Sequence, residues 1–475
     1  MREHKPVDDA GRNGPGWGYH PLAGESRAIK GSGESQLMET TAASTITIAA
    51  WPGCAPRLLR DQPDLQTVRE DCAAYSDGGG YRPLAAADAL LDEVERSGLL
   101  GRGGGAFPLA VKLRTVRDNG IRSNLGTVVV ANGEEGEPAS IKDRWLLRNR
   151  PHLVLDGLRL AAAIVAADRA HVYVSDPESA RSVETALSEL GAGALGGINV
   201  AVRVVDPGYV AGEETAAVRA LNGGPVKPTD KPPRPFESGV GGRPTLVSNV
   251  ETLAGLPYIQ QHGSAAFRAQ GTAHSPGTLL VTITGGDRPP GLYEVPHGLP
   301  ITELIALHGV STDRVRGALM GGYFAGLLNR DVLDATVDHE TFQRLGSGLG
   351  CGAISVITDD CPVALAASVL AYFDRENAGQ CGSCFNGTAA MAAAAGALRD
   401  GVATDEDLTR LRRWSVVLRG RGACATLDAA TNIAASLLDQ FPDLVQSHLD
   451  NSCQTCQLGA FRADRPYEVE AVRRA

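Results

Sequence analysis

TVVVANGEEGEP, residues 127–138, is the stretch of sequence that decides the fold. Its first half is a run of small and β-branched apolar residues, which is typical of a strand buried on both faces. Its second half is an acidic loop that contains two glycines. Strands of this kind belong to parallel sheets, which bind ligands in the loops at the carboxyl ends of their strands. The stretch therefore predicts both a sheet and the edge at which a ligand site should lie.

Helical and strand patterns alternate on either side of this stretch. The helical patterns lie at 84–99, 152–167 and 179–190, and the strand patterns at 171–176 and 198–206. Strands that alternate with helices imply β-α-β units around a largely parallel sheet.

In the second half of the chain, the predicted secondary structure changes at two points. A proline-rich segment at 227–239 is expected to be extended rather than helical. From about residue 275, two strands, a helix and a further strand and turn predict a small α+β domain. After residue 361 the strand signals stop, and four apolar stripes at helical spacing predict a helical bundle. These stripes lie at 363–377, 386–401, 405–420 and 428–449.

Composition excludes several classes of protein. The net charge of −10 and the absence of a basic stripe argue against a nucleic-acid-binding protein. The sequence contains no stretch of about 18 consecutive apolar residues, so it predicts no membrane span. Of the nine cysteines, four form two C-x-x-C pairs after residue 380. That uneven distribution indicates intracellular metal or redox chemistry rather than a disulfide framework, with Cys54, Cys72 and Cys361 interpreted as free buried cysteines.

The loop GRGGGAFP, residues 101–108, is the strongest local signal in the first half. Glycines allow the backbone to approach a phosphate, and the helix that follows offers unpaired N–H groups. Taken alone, the loop is equally compatible with a structural glycine turn, because it lacks the P-loop and dinucleotide fingerprints. Lys112 and the acidic turns at 134–137 and 209–216 favour a ligand site. Acid pairs suit ribose hydroxyls and a flavin or nicotinamide ring; the alternative is that they form solvated loop faces.

Six motifs then occur in one order along the chain. They are GRGGGAFPLAVK (101–112), ANGEEGEPASIKDR (131–144), GYVAGEETA (208–216), KPPRPFESG (231–239), SNVETLAGLP (248–257) and the cysteine pair at 381–384. In this order the chain resembles, over about residues 83–445, the flavoprotein (NADH-binding) subunit of respiratory complex I. It also resembles the related diaphorase subunits of hydrogenases and formate dehydrogenases.

The resemblance implies an α/β fold in three parts. They are a Rossmann-like FMN-binding domain, a ubiquitin-like β-grasp domain of the SLBB type, and a helical bundle that carries a [4Fe–4S] cluster. The expected segments are a largely disordered extension at 1–82, the FMN/NADH domain at 83–265, the β-grasp domain at 266–355, the iron–sulfur bundle at 356–450 and a C-terminal tail at 451–475.

The resemblance also assigns site residues by matching position. Those that would hold FMN are Gly101, Arg102, Gly103, Gly104 and Lys112; those that would line its ring are Asn132, Glu134 and Glu135. The site would be closed by Gly212, Glu213, Glu214 and Asn249. Phe107 would stack on the nicotinamide, and the dinucleotide would be placed by Glu135, Glu137 and Lys231. Glu135 would act by position only, because the cofactors supply the chemistry.

Three departures from the family pattern lie near the nucleotide. Ala106 stands where the family has a glycine, Ser248 replaces the first asparagine of a pair, and Arg234 replaces an aromatic residue. A planar guanidinium can stack on adenine in place of that ring.

The cysteine motif departs from the family pattern as well. Cys381, Cys384 and Cys424 keep their places as cluster ligands, but Ala378 stands where the family has its first cysteine. Three thiolates can hold a cubane whose fourth iron binds another group, or a three-iron cluster. Candidates for a fourth ligand are Cys351 and the terminal pair Cys453 and Cys456. Zinc and an empty relic are the alternatives to a cluster. Taken alone, the terminal pair is interpreted as loose thiols.

The expected function is transfer of electrons from NADH through FMN to the cluster and on to a partner. The expected partners are ferredoxin-like proteins or other subunits of a redox complex, with membrane contact only through them. The expected location is cytoplasmic, or peripheral at the inner face of the membrane through those partners. Two alternatives remain open: a non-catalytic flavin-binding docking or assembly subunit, and a scaffold that binds a small ligand or partner.

Overall fold

The computed structural model describes residues 46–191 and 193–472. The strands are β1 (Thr47–Ala50), β2 (Thr127–Asn132), β3 (Ala167–Val174), β4 (Asn199–Val204), β5 (Thr245–Asn249), β6 (Thr278–Gly285), β7 (Gly291–Pro296), β8 (Gly317–Met320), β9 (Leu327–Leu328) and β10 (Ala353–Ile357). The helices are α1 (Cys72–Asp77), α2 (Ala87–Ser97), α3 (Leu109–Ser123), α4 (Lys142–Asn149), α5 (Pro151–Val165), α6 (Pro177–Glu189), α7 (Glu214–Leu221), α8 (Val250–Arg268), α9 (Ile301–Leu307), α10 (His339–Arg344), α11 (Pro362–Glu376), α12 (Gly382–Arg399), α13 (Asp405–Val417), α14 (Thr426–Gln440), α15 (Pro442–Leu449) and α16 (Gln454–Gln457).

A four-stranded sheet places the predicted strand β2 in its interior. The strand order is β4-β3-β2-β5 and every pair is parallel, which confirms the prediction of β-α-β units. Val129 and Ala131 belong to the core that includes α2, α3, α5 and α8. Val128 and Val130 pack with α7 on the other face. Because helices cover both faces, the strand is apolar at consecutive positions rather than alternating with polar residues.

Four elements around this sheet are absent from the sequence predictions, namely α4, α7, β5 and α8. The first two have eight residues each, and each begins within a few residues of an acidic loop. Helix α8 contains Pro257, which argues against a helix when only local rules are applied. Burial against the sheet therefore stabilises helices whose own sequences carry only weak helix signals.

A second, mixed sheet has six strands in the order β1-β7-β6-β10-β8-β9. The predicted strands β6, β7 and β8 and the predicted helix α9 are confirmed, and α9 packs on this sheet through Ile301, Leu304 and Ile305. Strand β10 is not among the predicted strands. Its five buried residues are too few for periodicity to distinguish a strand from a helix.

Strand β1 corrects the expected bounds at the start of the chain. Residues 1–82 are predicted to be largely disordered, but from residue 46 the segment is folded, and β1 pairs in parallel with β7. The buried carboxylate of Glu294 on β7 accepts hydrogen bonds from the N–H groups of Leu58 and Leu59, at 2.9 and 2.8 Å. The second sheet thus includes a strand from outside 266–355. Residues 1–45 lie outside the described residues.

Helices α11 to α15 share one apolar core after the second sheet. Four helices are predicted there, and the structure corrects the number to five. The last predicted helix, 428–449, is broken between α14 and α15, because Pro442 cannot donate a hydrogen bond to continue α14. Across the residues described here, no helix combines the length and apolar character that spanning a bilayer requires.

Candidate active site

A cavity of about 370 Å³ opens where the parallel sheet meets the second sheet and the late helices. Asn132 and Asn249, the last residues of the paired strands β2 and β5, lie on its wall. The rest of the wall comes from the loops at 103–105 and 134–137, from Cys351, and from residues 424–426 before α14. The cavity therefore lies at the carboxyl edge of the sheet, where ligands of parallel sheets bind.

Nine of the fifteen predicted cofactor residues line this cavity. They are Gly103, Gly104, Asn132, Glu134, Glu135, Glu137, Gly212, Glu213 and Asn249. The other six, which do not line it, are Gly101, Arg102, Phe107, Lys112, Glu214 and Lys231. The sequence motifs thus converge on one cavity, although some of their side chains serve other purposes.

The glycine loop leaves room that a side chain would remove. A Cβ added to Gly103 would lie 3.2 Å from the Cβ of Asn249, so a larger residue would crowd the wall. Gly104 has a φ of +106°, which only glycine adopts readily. Ala106, which stands in place of the family's glycine, has a φ of +47° and therefore occupies the left-handed region at some cost.

Arg102 is buried away from the cavity. Its guanidinium donates to Nε2 of His297 at 2.7 Å and to the carbonyl oxygens of Pro276 and Thr278 at 3.3 and 3.1 Å. The side chain therefore fastens the glycine loop to the start of β6 and to the residue that follows β7. Phe107, which is predicted to stack on nicotinamide, does not line the cavity, and 54% of the residue is exposed to solvent.

Glu134 and Glu137 point buried carboxyl groups toward the cavity. Burial raises the pKa of Glu134 to about 8, and the nearby Gly208 backbone and Ser175 oppose the rise only weakly. Burial also raises the pKa of Glu137 to about 8, although one of its oxygens accepts the N–H of Tyr323 at 3.0 Å. Neither oxygen of Glu134, and only one of Glu137, has a well-formed hydrogen bond within the described residues. Such unpaired buried oxygens are suited to accept hydrogen bonds from a ligand.

Glu135 lies between these two residues but is fully engaged. Its carboxylate accepts from the Ser140 hydroxyl at 2.6 Å, from the backbone N–H groups of Asp143 and Arg144 at 3.1 Å, and from Nε of Arg144 at 3.2 Å. The unpaired N–H groups and the positive end of α4 stabilise this charge. Glu135 therefore holds the acidic loop against α4.

Lys142, Asp143 and Glu251 form a buried polar cluster beside the cavity that the site predictions omit. Nζ of Lys142 lies 2.7 Å from Asp143 and 3.0 Å from Glu251. Burial alone lowers the pKa of Lys142, but the two carboxylates outweigh burial and raise it. Asp143 accepts from Nδ2 of Asn249 at 2.6 Å and so orients that residue. The sequence signal that could have revealed this cluster is the run of three charged residues at 142–144, directly after the apolar Ile141.

Two lysines neutralise the second acidic turn. Nζ of Lys231 lies 2.7 Å from Glu213 and 3.4 Å from Glu214, whereas Nζ of Lys112 lies 3.9 Å from Glu214. Lys112 also donates to the carbonyl of Val247 at 2.6 Å. Burial lowers the pKa of Lys112, and Glu214 opposes that change. The acid pair of this second turn is therefore ion-paired rather than a solvated loop face.

The three predicted cluster thiols lie at the adjoining starts of α12 and α14. Cys381 accepts the N–H of Ala423 at 3.4 Å, and burial, followed by the charges of Cys424 and Cys381, raises the pKa of Cys384 to about 12. Of the described residues, these three are not among the groups close enough to ligate one ion, which argues against the zinc alternative here. Their donor chemistry fits an iron–sulfur cluster, in which each thiolate binds a different iron.

The candidates for a fourth cluster ligand separate in space. Cys351 lines the same cavity as Cys424. Cys453 and Cys456 instead lie beside Cys361 and His448. All three cysteines are free thiols, and Cys361 is buried, as predicted. The backbone carbonyl of Ala378 accepts from Nζ of Lys227 at 2.8 Å, which fastens its loop to the proline-rich segment.

The cavity fits FMN by three structural criteria. Its volume is within the range of small-molecule sites, roughly 300–1,000 Å³. Its glycine loop lacks the Cβ atoms that would fill the cradle, and Glu134 offers unpaired acceptors. Cys424 on the wall connects the cavity to the cluster thiols.

Comparison with known proteins gives consistent matches. A family model described as the Nuo51 FMN-binding domain matches residues 94–258, and one described as the NADH-ubiquinone oxidoreductase-F iron-sulfur binding region matches residues 364–448. One of the NADH-quinone oxidoreductase F subunits, that of Rhizobium meliloti (strain 1021), is 33% identical over 418 residues, which cover 83% of this chain and 98% of that protein.

Hydrogenase subunits match as well. The HndC subunit of the NADP-reducing hydrogenase of Solidesulfovibrio fructosivorans is 30% identical over 392 residues, which cover 78% of this chain and 79% of that protein. A chain from the crystal structure of NAD+-reducing [NiFe]-hydrogenase in the air-oxidized state superposes with a TM-score of 0.74 at 29% identity. That match covers 85% of this chain and 68% of the hydrogenase chain.

Proposed function

The chain belongs to the family of NADH-quinone oxidoreductase F subunits, and from that premise we propose that the cavity is where NADH meets FMN. FMN bound there would supply the step from two-electron to one-electron transfer that connects NADH to an iron–sulfur cluster. The protein is thus an oxidoreductase flavoprotein with a 4Fe–4S region that passes electrons to partner subunits.

The observation that carries this proposal is the position of Cys424. Residues 424–426 form part of the cavity wall, and Cys424 is also one of the three thiols assigned to the cluster. A ligand in the cavity therefore lies against a cluster ligand without an intervening layer of protein. Such a short separation favours electron transfer between the two sites.

The chain's own residues would bind and orient the cofactors. The backbone of 103–105 would approach the flavin phosphate, with Lys112 and Lys231 offsetting the negative charge of the neighbouring acid pair. Glu134 and Glu137 would accept hydrogen bonds from ring or ribose groups. Glu135 would act by position, because its carboxylate is saturated by protein donors.

We also propose the finer organisation that the resemblance implies. The parallel sheet would be the Rossmann-like FMN domain, the mixed sheet with α9 the β-grasp domain, and α11–α15 the cluster bundle. The electron acceptors would be ferredoxin-like proteins or other subunits of a redox complex, of the quinone-linked or the hydrogenase type. The complex would lie in the cytoplasm or at the inner face of the membrane, held there through those partners.

One absorbance experiment tests the function. Protein purified anaerobically is expected to be yellow and to bleach on addition of NADH. Gly103→Val should lose the flavin, because the new side chain would crowd Asn249 and fill the cradle. Gly191→Val is the matched control, since a Cβ there meets nothing within 4 Å.

Each alternative function has its own signature in this experiment. A yellow protein that does not respond to NADH would indicate a docking or assembly role. A colourless protein would indicate a binding scaffold and would contradict the flavin assignment.

A further inference from the structure

Four metal-ligating side chains meet in the late helices, apart from the cavity and the cluster thiols. Cys361 precedes α11, His448 lies in the last turn of α15, Cys453 precedes α16 and Cys456 lies within it. One ligand atom from each lies within 4.8 Å of the others. Three of the four side chains are buried. Such convergence of side chains from three separate elements is unusual without a ligand to join them.

The distances correspond to ligands of a single ion. Sγ of Cys361 lies 3.2 Å from Nε2 of His448 and 3.9 Å from Sγ of Cys453, and Sγ of Cys456 lies 3.7 Å from the same Nε2. Tetrahedral zinc, with Zn–S bonds of about 2.3 Å, places neighbouring sulfur ligands about 3.8 Å apart. A cubane holds each thiolate on a different iron and so needs wider spacing.

The histidine is already oriented for such a role. Nδ1 of His448 lies 3.0 Å from the carbonyl oxygen of Leu398, so it donates its proton there. That hydrogen bond leaves the lone pair of Nε2 directed at the three thiols. Histidines that bind metals are commonly held in one tautomer by a backbone carbonyl in this way.

We propose that Cys361, His448, Cys453 and Cys456 bind one Zn²⁺ ion. Three thiolates and one imidazole form a common donor set of structural zinc, and four protein ligands leave no open position for catalysis. Binding would release the thiol protons, because zinc binds thiolates. A cavity of about 310 Å³ reaches Cys453 and Cys456 and provides a path for the ion. The proposal does not depend on the function proposed for the first cavity.

The ion would anchor the segment that follows α16. The N–H of Val469 donates to the carbonyl of Pro138 at 3.0 Å, and Arg144 donates to the carbonyl of Glu470 at 2.7 Å. The C-terminal segment therefore braces the acidic loop of the cavity from behind. Zinc at the start of this segment would hold the brace in place, so the predicted tail would be a structural element.

Zinc analysis of the full-length protein tests the proposal. Wild type expressed with zinc should contain about one zinc ion per chain, and its zinc X-ray absorption spectrum should show about three sulfur neighbours at roughly 2.3 Å and one nitrogen at about 2.0 Å. Cys456→Ser should lose most of the zinc, whereas Cys456→His, which supplies another ligand, should retain it. Cys72→Ser is the control, because Cys72 lies outside the group.

The measurement is selective for zinc, so flavin and iron do not interfere with it. Chelation of the ion should also accelerate amide hydrogen exchange in residues 461–472. A wild type without zinc, or with zinc bound only by oxygen and nitrogen, would overturn the proposal. So would an equal zinc content in a folded Cys456→Ser variant. If that variant does not fold, the neighbour count in the wild-type spectrum decides.

Discussion

Nζ of Lys142 lies 3.0 Å from Oε2 of Glu251, and both side chains are 1% exposed. The pair joins the start of α4 to the start of α8, which follow the two strands whose ends form the cavity wall. Glu251 also accepts the N–H of Leu280 on β6 at 2.9 Å. One buried ammonium thus links the parallel sheet to the mixed sheet through Glu251. Through Asp143 it also helps to orient Asn249.

Lys142→Met should be strongly destabilising. It removes the cation that lies between two buried carboxylates, and breaking a buried ion pair in this way typically costs about 3–5 kcal/mol. Urea unfolding monitored by circular dichroism measures the change. The control is Arg114→Met, which breaks an exposed ion pair with Glu95 and should cost less than about 1 kcal/mol. Equal shifts in the two variants would show that the buried network does not stabilise the fold.

The buried carboxyl of Glu134 should make stability fall as pH rises. Its pKa is about 8 in the folded protein and ordinarily 4.5, so between these values the folded state binds more protons than the unfolded state. The free energy of unfolding therefore decreases with pH across that window, on the order of a few kcal/mol. Glu134→Gln keeps the shape but cannot ionise.

Unfolding at pH 5 and pH 8, at equal flavin content, tests this effect of Glu134. The variant should match wild type at pH 5 and exceed its stability at pH 8. Glu184→Gln, on the exposed face of α6, should follow the wild-type slope at both values. A Glu134→Gln slope identical to that of wild type would mean that Glu134 ionises normally.

Lys112→Ala should weaken FMN binding. The substitution removes the ammonium that donates to Val247 and offsets the charge of Glu214, and hydrogen bonds to charged groups are worth about 1.5–3 kcal/mol. The expected loss of FMN affinity is therefore about 10- to 100-fold. The ratio of flavin to protein absorbance after gel filtration measures retention. Lys227→Ala, whose ammonium contacts Ala378 instead, should retain flavin; stoichiometric flavin in both variants would remove Lys112 from the site.

Ala378→Cys should increase iron retention in air. It supplies the thiolate that the family pattern has and this chain lacks, and a thiolate on the fourth iron covers the position at which oxygen would otherwise attack. Iron and sulfide analysis, with EPR of the dithionite-reduced protein, measures the cluster, while flavin content should not change. Cys384→Ser is the opposing variant and should lose iron. If wild type and Ala378→Cys are both free of iron after anaerobic preparation, the helices hold no cluster.

Local patterns predicted much of the fold. The β-branched run of β2 and the apolar stripes of α2, α5 and α6 are features of consecutive residues, and each of these elements forms within a few residues of its predicted position. The acidic turn after β2 also predicted part of the cavity wall, because strand polarity places the loops that follow parallel strands at one edge.

Other features of the structure depend on distant residues that compete for a side chain or pack against a helix. Arg102 has the sequence context of a phosphate ligand, yet His297 and two carbonyl groups bind its guanidinium. Helix α8 forms despite Pro257 because it is buried against α2 and α5. In each case contacts from elsewhere in the chain outweighed the local preference.

The sequence by itself determined the parallel β-α-β units, the order of the binding motifs and the three thiols kept at Cys381, Cys384 and Cys424. Tertiary structure alone decided that Cys361 and His448, 87 residues apart, share a site with the terminal C-x-x-C pair. The physical reason is that periodicity and turn chemistry act over a few residues. The meeting of α11, α15 and α16 depends instead on how their apolar faces pack around a common core.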